Sequence, residues 1–124
     1  MHVLVIDDSK TIRSVLREEL VNLGFDVTEA GDGRQALKDL KNMDRVDLVL
    51  VDWEMPEMDG ITFVRAVRSN AGYSKLPLMM VTTNADLAHV TLALEAGANE
   101  YIMKPFDTDI LREKLQLLGF LQGQ

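Results

Sequence analysis

Val46-Asp47-Leu48-Val49-Leu50-Val51-Asp52-Trp53-Glu54-Met55-Pro56 is an apolar run that ends abruptly in a carboxylate, an indole and a second carboxylate. Its β-branched and aliphatic residues do not alternate with polar ones, which marks a strand covered on both faces, as in a parallel sheet. Three other runs end the same way. Val3-Leu4-Val5-Ile6 leads into Asp7-Asp8, Leu78-Met79-Met80-Val81 into Thr82, and Tyr101-Ile102-Met103 into Lys104. As parallel strands, these four runs would gather three carboxylates, a hydroxyl and an ammonium at one edge of one sheet. In open α/β sheets that carboxyl edge is where ligands bind.

Between these runs lie helical patterns. A helix opens at Ser9 or Lys10, with Ile12, Val15, Leu16, Leu20 and Leu23 on its inward face and Gly24 as its stop. Phe25 to Ala30 is a more polar strand suited to an edge, followed by the turn Gly31-Asp32-Gly33 and a short helix from Arg34 to Lys41. Asp47 to Asp52 is the third strand, and a loop from Trp53 to Gly60 leads to a helix over Ile61 to Arg68. Leu76 to Thr82 is strand four, Ala85 to Ala96 helix four and Glu100 to Met103 strand five. The last helix, Thr108 to Leu118, turns Ile110, Leu111, Leu115 and Leu118 inward, with Asp107 or Thr108 as its cap. Strict alternation predicts a doubly wound, flavodoxin-like α/β fold with a five-stranded parallel sheet in the order 2-1-3-4-5. That order sets strands one and three side by side, so Asp7, Asp8 and Asp52 converge.

The 124 residues suit one domain, 1–124 with a core over about 3–118. A formal net charge of −7 argues against direct binding to a nucleic-acid backbone, which calls for a basic face. No apolar run approaches the ~20 residues of a membrane span, so no membrane insertion is expected. No signal-peptide pattern precedes Val3, which makes the cytoplasm the expected compartment. There is no cysteine, which excludes disulfides and thiolate metal sites.

Three carboxylates brought within a few ångströms repel one another unless a cation neutralises them. An all-oxygen site of this kind suits Mg²⁺, with Mn²⁺ as an alternative, and not Zn²⁺. Asp52 could then accept a phosphoryl group as an acyl phosphate, with Lys104 and Thr82 pairing to the phosphoryl oxygens. Each residue alone also has a plainer use: Asp7-Asp8 or Asp52 as turn residues, Thr82 as a helix cap, Lys104 as a solvated charge. Those uses do not explain why polar groups finish the same end of four strands. Met55 and Met58 read as loop packing, and His2 and His89 are too isolated for a metal site.

The segments Val5-Ile6-Asp7-Asp8-Ser9, Asp52-Trp53-Glu54-Met55-Pro56-Glu57-Met58-Asp59-Gly60, Val81-Thr82 and Lys104-Pro105-Phe106 resemble the receiver domain of two-component response regulators, over Val3 to about Leu118. The Asp52-to-Gly60 stretch, with Tyr101 before Lys104, is especially similar to that of stand-alone chemotaxis regulators. The resemblance implies phosphorylation of Asp52 by a histidine kinase. It gives Asp8 as a direct Mg²⁺ ligand, Asp7 as a mostly water-mediated one, and the Glu54 backbone carbonyl as the remaining protein ligand. It makes Thr82, Lys104 and Tyr101 the switch, Lys104-Pro105 a cis bond, and Gly60 a residue that permits the backbone geometry at the loop's end. Glu54 and Asn84 are implied to tune dephosphorylation, and Thr83, where Ala or Gly is commoner, to narrow access to Asp52. A downstream protein would bind the face made by helix four, strand five and helix five. Catalysis would be confined to the domain's own phosphorylation and dephosphorylation, and the chain would act by binding, without an effector domain.

Two other chemistries fit parts of the pattern. A haloacid-dehalogenase-like phosphatase also uses an aspartyl phosphate, but normally carries a second aspartate two positions on, where this chain has Glu54. A flavin-binding domain of the same architecture needs a phosphate-cradling loop after strand one, where Asp7-Asp8 would repel the phosphate.

Overall fold

The computed structural model describes residues 1–121. Five parallel strands, β1 (His2–Ile6), β2 (Asp26–Ala30), β3 (Leu48–Asp52), β4 (Leu78–Thr82) and β5 (Glu100–Met103), pair in the order β2-β1-β3-β4-β5. Between and after them run α1 (Lys10–Asn22), α2 (Gly33–Asn42), α3 (Gly60–Arg68), α4 (Leu87–Ala96) and α5 (Thr108–Leu117), with a short 3₁₀ turn at Ala71–Tyr73. The alternation and the strand order are those expected from the sequence. Every residue of β3 and β4 is buried, whereas β2 at the edge is only partly so. No helix among the described residues is long and apolar enough to cross a membrane.

The pleat sends successive side chains to opposite faces. Leu4, Ile6, Val49, Val51, Leu78 and Met80 pack on the face covered by α2, α3 and α4, around Phe63, Val64 and Ala93. Val3, Val5, Leu48, Leu50, Met79, Val81 and Ile102 pack on the other, against Leu16 and Leu20 of α1 and Leu111 and Leu115 of α5. This two-sided burial, about 1.5–3 kcal/mol for each fully buried aliphatic side chain, is what holds the strand ends in place.

Each α-helix opens on a side-chain cap: Ser9, Asp32, Asp59, Asp86 and Asp107 accept the N–H three residues on. Four of the chain's acidic residues thus have a local structural use. The caps also correct two boundaries. Helix four starts at Leu87 rather than Ala85, because Asp86 caps it and Thr82 does not. Strand four starts at Leu78, with Pro77 contributing only its carbonyl, to Val49 N–H at 3.0 Å. Two residues expected inside are outside: Val15 is 51% exposed and Ile110 41%. Each directly precedes a buried leucine, Leu16 or Leu111, and one residue turns a helix by about 100°. Both therefore fall off the inward stripe.

Backbone bonds carry the order past the strand ends. Asp7 N–H reaches Ala30 O at 3.2 Å, Trp53 N–H reaches Val81 O at 2.9 Å, and Lys104 N–H reaches Thr82 O at 2.7 Å. Lys104-Pro105 is cis, as expected. Gly60 serves the loop differently from the expectation. The left-handed residue there is Glu57, at φ 68°, while Gly60 is where two backbones meet. A Cβ on Gly60 would stand 2.5 Å from Asp52 O, 2.8 Å from Met80 Cε and 3.0 Å from Trp53 Cα. Gly60→Ala should therefore cost about 1–3 kcal/mol, reversing the usual helical preference for Ala, and a urea titration with an unchanged midpoint would contradict this.

Candidate phosphoacceptor and metal site

Three strand ends place the charged groups. Asp7 follows β1, Asp52 is the last residue of β3 and Lys104 follows β5; Asp8 stands beside Asp7 on the solvent side. One oxygen from each of Asp7, Asp8 and Asp52 lies within 4.8 Å of the other two. Asp7 is 1% exposed and Asp52 7%, whereas Asp8 is open to solvent. The Lys104 ammonium reaches between the buried pair, donating to Asp7 Oδ2 at 3.1 Å and Asp52 Oδ1 at 3.3 Å. Asp7 Oδ1 also accepts the Ser9 N–H at 2.8 Å, so both its oxygens are engaged. Neither Asp8 nor Asp52 Oδ2 has such a partner among the described residues. Ser9, Trp53, Glu54 and Thr83 complete the walls of the cleft.

The electrostatics follow from this crowding. Burial, then the neighbouring Asp7 charge and, more weakly, Asp8, push the Asp52 carboxyl above its ordinary value; Lys104 opposes them without prevailing. Burial alone would lower Lys104, but its hydrogen bond to Asp7 and the attraction of Asp52 outweigh that and raise it. One ammonium therefore stands against three carboxylates and bonds two of them. The remaining negative charge and the exclusively oxygen donors fit a hard divalent cation.

Thr82 is buried at the end of β4, and its hydroxyl bonds within the following turn and not to the carboxylates of the cluster. It donates to Asn84 O and accepts Asn84 N–H, both at 3.0 Å. Tyr101, half-buried on β5, carries the Lys114 ammonium 4.3 Å from its ring centre. Thr83 lines the cleft and Asn84 does not. Met55 and Met58 pack against the core as expected, and no histidine joins a metal-ligand cluster among the described residues.

Two residues to which the sequence reading gave no part in this site border it. Arg13 Nη1 donates to Asp7 O at 2.6 Å while Nε pairs with Glu29 at 3.3 Å, fixing the β1–α1 turn. Its place one helical turn after Ser9 was the available signal. His89 of α4 packs on Trp53, with ring centres 5.1 Å apart; nothing in its isolated position in the chain signals that contact.

The response regulator receiver domain family matches residues 3–116. The chain belongs to that family. Among curated relatives of this receiver, a chemotaxis protein CheY homolog of Campylobacter jejuni is 43% identical over 126 residues, covering 100% of this chain and 97% of the relative. CheY1 of Helicobacter pylori is 41% identical over 119 residues, covering 95% and 96%. Among solved structures, CheY4 of Vibrio cholerae superposes with a TM-score of 0.88 at 35% identity, covering 94% of this chain and 96% of that one. The receiver domain of a Pseudomonas aeruginosa sensor histidine kinase, solved with magnesium in its active-site cleft, gives 0.84 at 31%, covering 94% of both. The resemblance seen in the sequence is thus a family membership. Receivers bind Mg²⁺ in an acidic pocket, and the Asp7, Asp8 and Asp52 cluster of this receiver could hold such an ion.

Adding Mg²⁺ to the metal-free receiver should raise its melting temperature, with most of the gain lost in Asp8→Asn. A second prediction follows from the raised Asp52 carboxyl. A group whose folded pKa exceeds its unfolded value of 3.8 contributes most stability below that value and loses it as pH rises through the folded pKa. Asp52→Asn retains the neutral form at every pH. In EDTA it should melt above the wild type at pH 7, with the difference vanishing below about pH 3.8. Parallel melting curves across that range would refute the assignment.

Proposed function

We propose that this receiver is a phosphorylation-dependent response regulator, with Asp52 as the acceptor of a phosphoryl group from the phosphohistidine of a histidine kinase. The observation that carries this is the Lys104 ammonium held at 3.1 and 3.3 Å between Asp7 and Asp52, next to the exposed Asp8. An Asp52 carboxylate oxygen attacks phosphorus, the P–N bond breaks, and the imidazole leaves with its electron pair. Asp8, Asp52 and the Glu54 backbone carbonyl would hold Mg²⁺, with Asp7 acting largely through water. Bound there, the metal supplies positive charge that neutralises the transferring phosphoryl oxygens.

Lys104 already lies within reach of Asp52 and exchanges a carboxylate for a phosphoryl oxygen. Thr82 releases Asn84 and turns its hydroxyl toward another, and Tyr101 moves inward into the space behind it. Both Thr82 bonds to Asn84 are local to one turn, so their loss can be offset by a charge-assisted bond to phosphate. A shift of this kind requires contacts that differ between the two states, and the phosphoryl group supplies them. The dephosphorylating water approaches past Glu54 and Thr83, and Asn84 joins them at its entry once Thr82 has released it; together they set the lifetime of the acyl phosphate.

The output surface in this reading is formed by α4, β5 and α5. It exposes the apolar side chains of Leu87 (83%), Leu94 (51%), Met103 (49%) and Ile110, which a protein partner could cover. The CheY relatives favour a chemotaxis or motility partner.

With a small phosphoryl donor and Mg²⁺, intact-mass spectra should gain one phosphate, and Asp52→Asn should gain none. Trp53, the only tryptophan, should report Mg²⁺ and then beryllofluoride by fluorescence, with the second response absent in Asp52→Asn. An unmodified wild-type mass would refute the proposal. Thr82→Ala should still be phosphorylated but should lose most of the beryllofluoride-induced NMR shifts in α4, β5 and α5. Full shifts in that variant would exclude Thr82 as the relay.

A further inference from the structure

The indole of Trp53, directly after Asp52, meets the imidazole of His89 at a centroid distance of 5.1 Å and an interplanar angle of 55°. Asp86 sets the imidazole there. Its Oδ1 accepts the His89 backbone N–H at 2.9 Å, as a helix cap does, and also contacts His89 Nδ1 at 2.8 Å. Capping needs only the first of these bonds. The second fixes the ring of a side chain that is 38% exposed and would otherwise sample several rotamers.

From Asp86 the connection runs on to the switch residue. Asp86 N–H donates to Asn84 Oδ1 at 3.1 Å, and Asn84 shares its backbone N–H and C=O with the Thr82 hydroxyl at 3.0 Å. Thr82 follows Val81, whose carbonyl accepts the Trp53 N–H at 2.9 Å. The series Trp53, His89, Asp86, Asn84, Thr82, Val81 therefore closes on itself. In the conformation seen here, the hydroxyl that must turn toward Asp52 is one member of this ring of contacts and the indole beside Asp52 is another.

We infer that His89 is a positioning residue: through its ring contact with Trp53 it ties the first turn of α4 to the β3–α3 loop and favours the resting arrangement of Thr82. The inference rests on Asp52 as phosphoacceptor and Thr82 as switch, and adds a restraint on the switch that lies outside the charged cluster. Movement of the segment from Thr82 to Asp86 toward the phosphoryl group displaces α4's first turn relative to Trp53, so the tie belongs to one state. A contact present in one state alone biases the equilibrium by its whole strength. For an aromatic pair, that strength corresponds to about two- to tenfold in an equilibrium constant.

The test is the apparent affinity of the full chain for beryllofluoride at saturating Mg²⁺, taken from titration midpoints by calorimetry and by Trp53 emission. His89→Ala should bind about two- to tenfold more tightly than wild type. His89→Phe, which keeps a ring but not the Asp86 bond, should stay within about twofold of wild type. An unchanged or weakened affinity in His89→Ala, with a lowered melting temperature, would make His89 merely structural and overturn the inference. So would His89→Phe behaving like Ala, which would place the effect in the Asp86 bond and not in the ring. If the wild type itself fails to respond to beryllofluoride, the phosphoacceptor reading fails first. A normal wild-type response with an indifferent His89→Ala removes only the tie.

Discussion

Mutual repulsion among Asp7, Asp8 and Asp52 is the constraint around which this molecule is built. Two like charges 4 Å apart interact by about 4 kcal/mol at an effective dielectric of 20, and here three lie within 4.8 Å of one another. Left to itself, a flexible chain would separate them. The sheet prevents this, because Asp7 and Asp52 prolong neighbouring strands whose interior residues are buried on both faces. Lys104, brought in from two strands away, relieves part of the strain but carries only one charge. The folded protein therefore holds a deficit of positive charge at a fixed place, where an incoming cation would find oxygen donors already gathered.

The same geometry explains why the pocket is asymmetric. Asp7 is fully engaged, by Lys104 on one oxygen and the Ser9 N–H on the other, and Arg13 braces its carbonyl. Among the described residues Asp8 has no hydrogen-bond partner and faces solvent, and Asp52 is held through one oxygen only. An anchoring carboxylate, an accessible one and a buried, half-engaged one arise from the same residue type. Their surroundings alone separate them.

How much of this could be read from the chain depended on the range of the interaction. Burial on both faces leaves a mark in consecutive residues, so Leu48 to Val51 and Leu78 to Val81 gave the strands, and their polar ends gave the site. The fold then supplied the adjacency of β1 and β3. Helix faces were less legible. Val15 and Ile110 are apolar and adjoin the inward stripe, and only packing reveals that each has turned outward. Contacts that join distant segments left little mark. His89 lies far in sequence from Trp53, and Arg13 is set apart only by its place one helical turn after Ser9. Gly60 was recognised as special, but its reason, the carbonyl of Asp52 against its back, exists only in three dimensions.

One consequence follows from β3 and β4 being buried along their whole length. Strands wedged between two helical layers have nowhere to slide, since interiors packed at crystal-like density resist displacement. In the proposed reading, a signal received at residue 52 therefore leaves without deforming the sheet. It must travel by the pivoting of individual side chains and the repacking of the surface segments they touch, and the rigid centre serves as the fulcrum that gives those small rotations a direction.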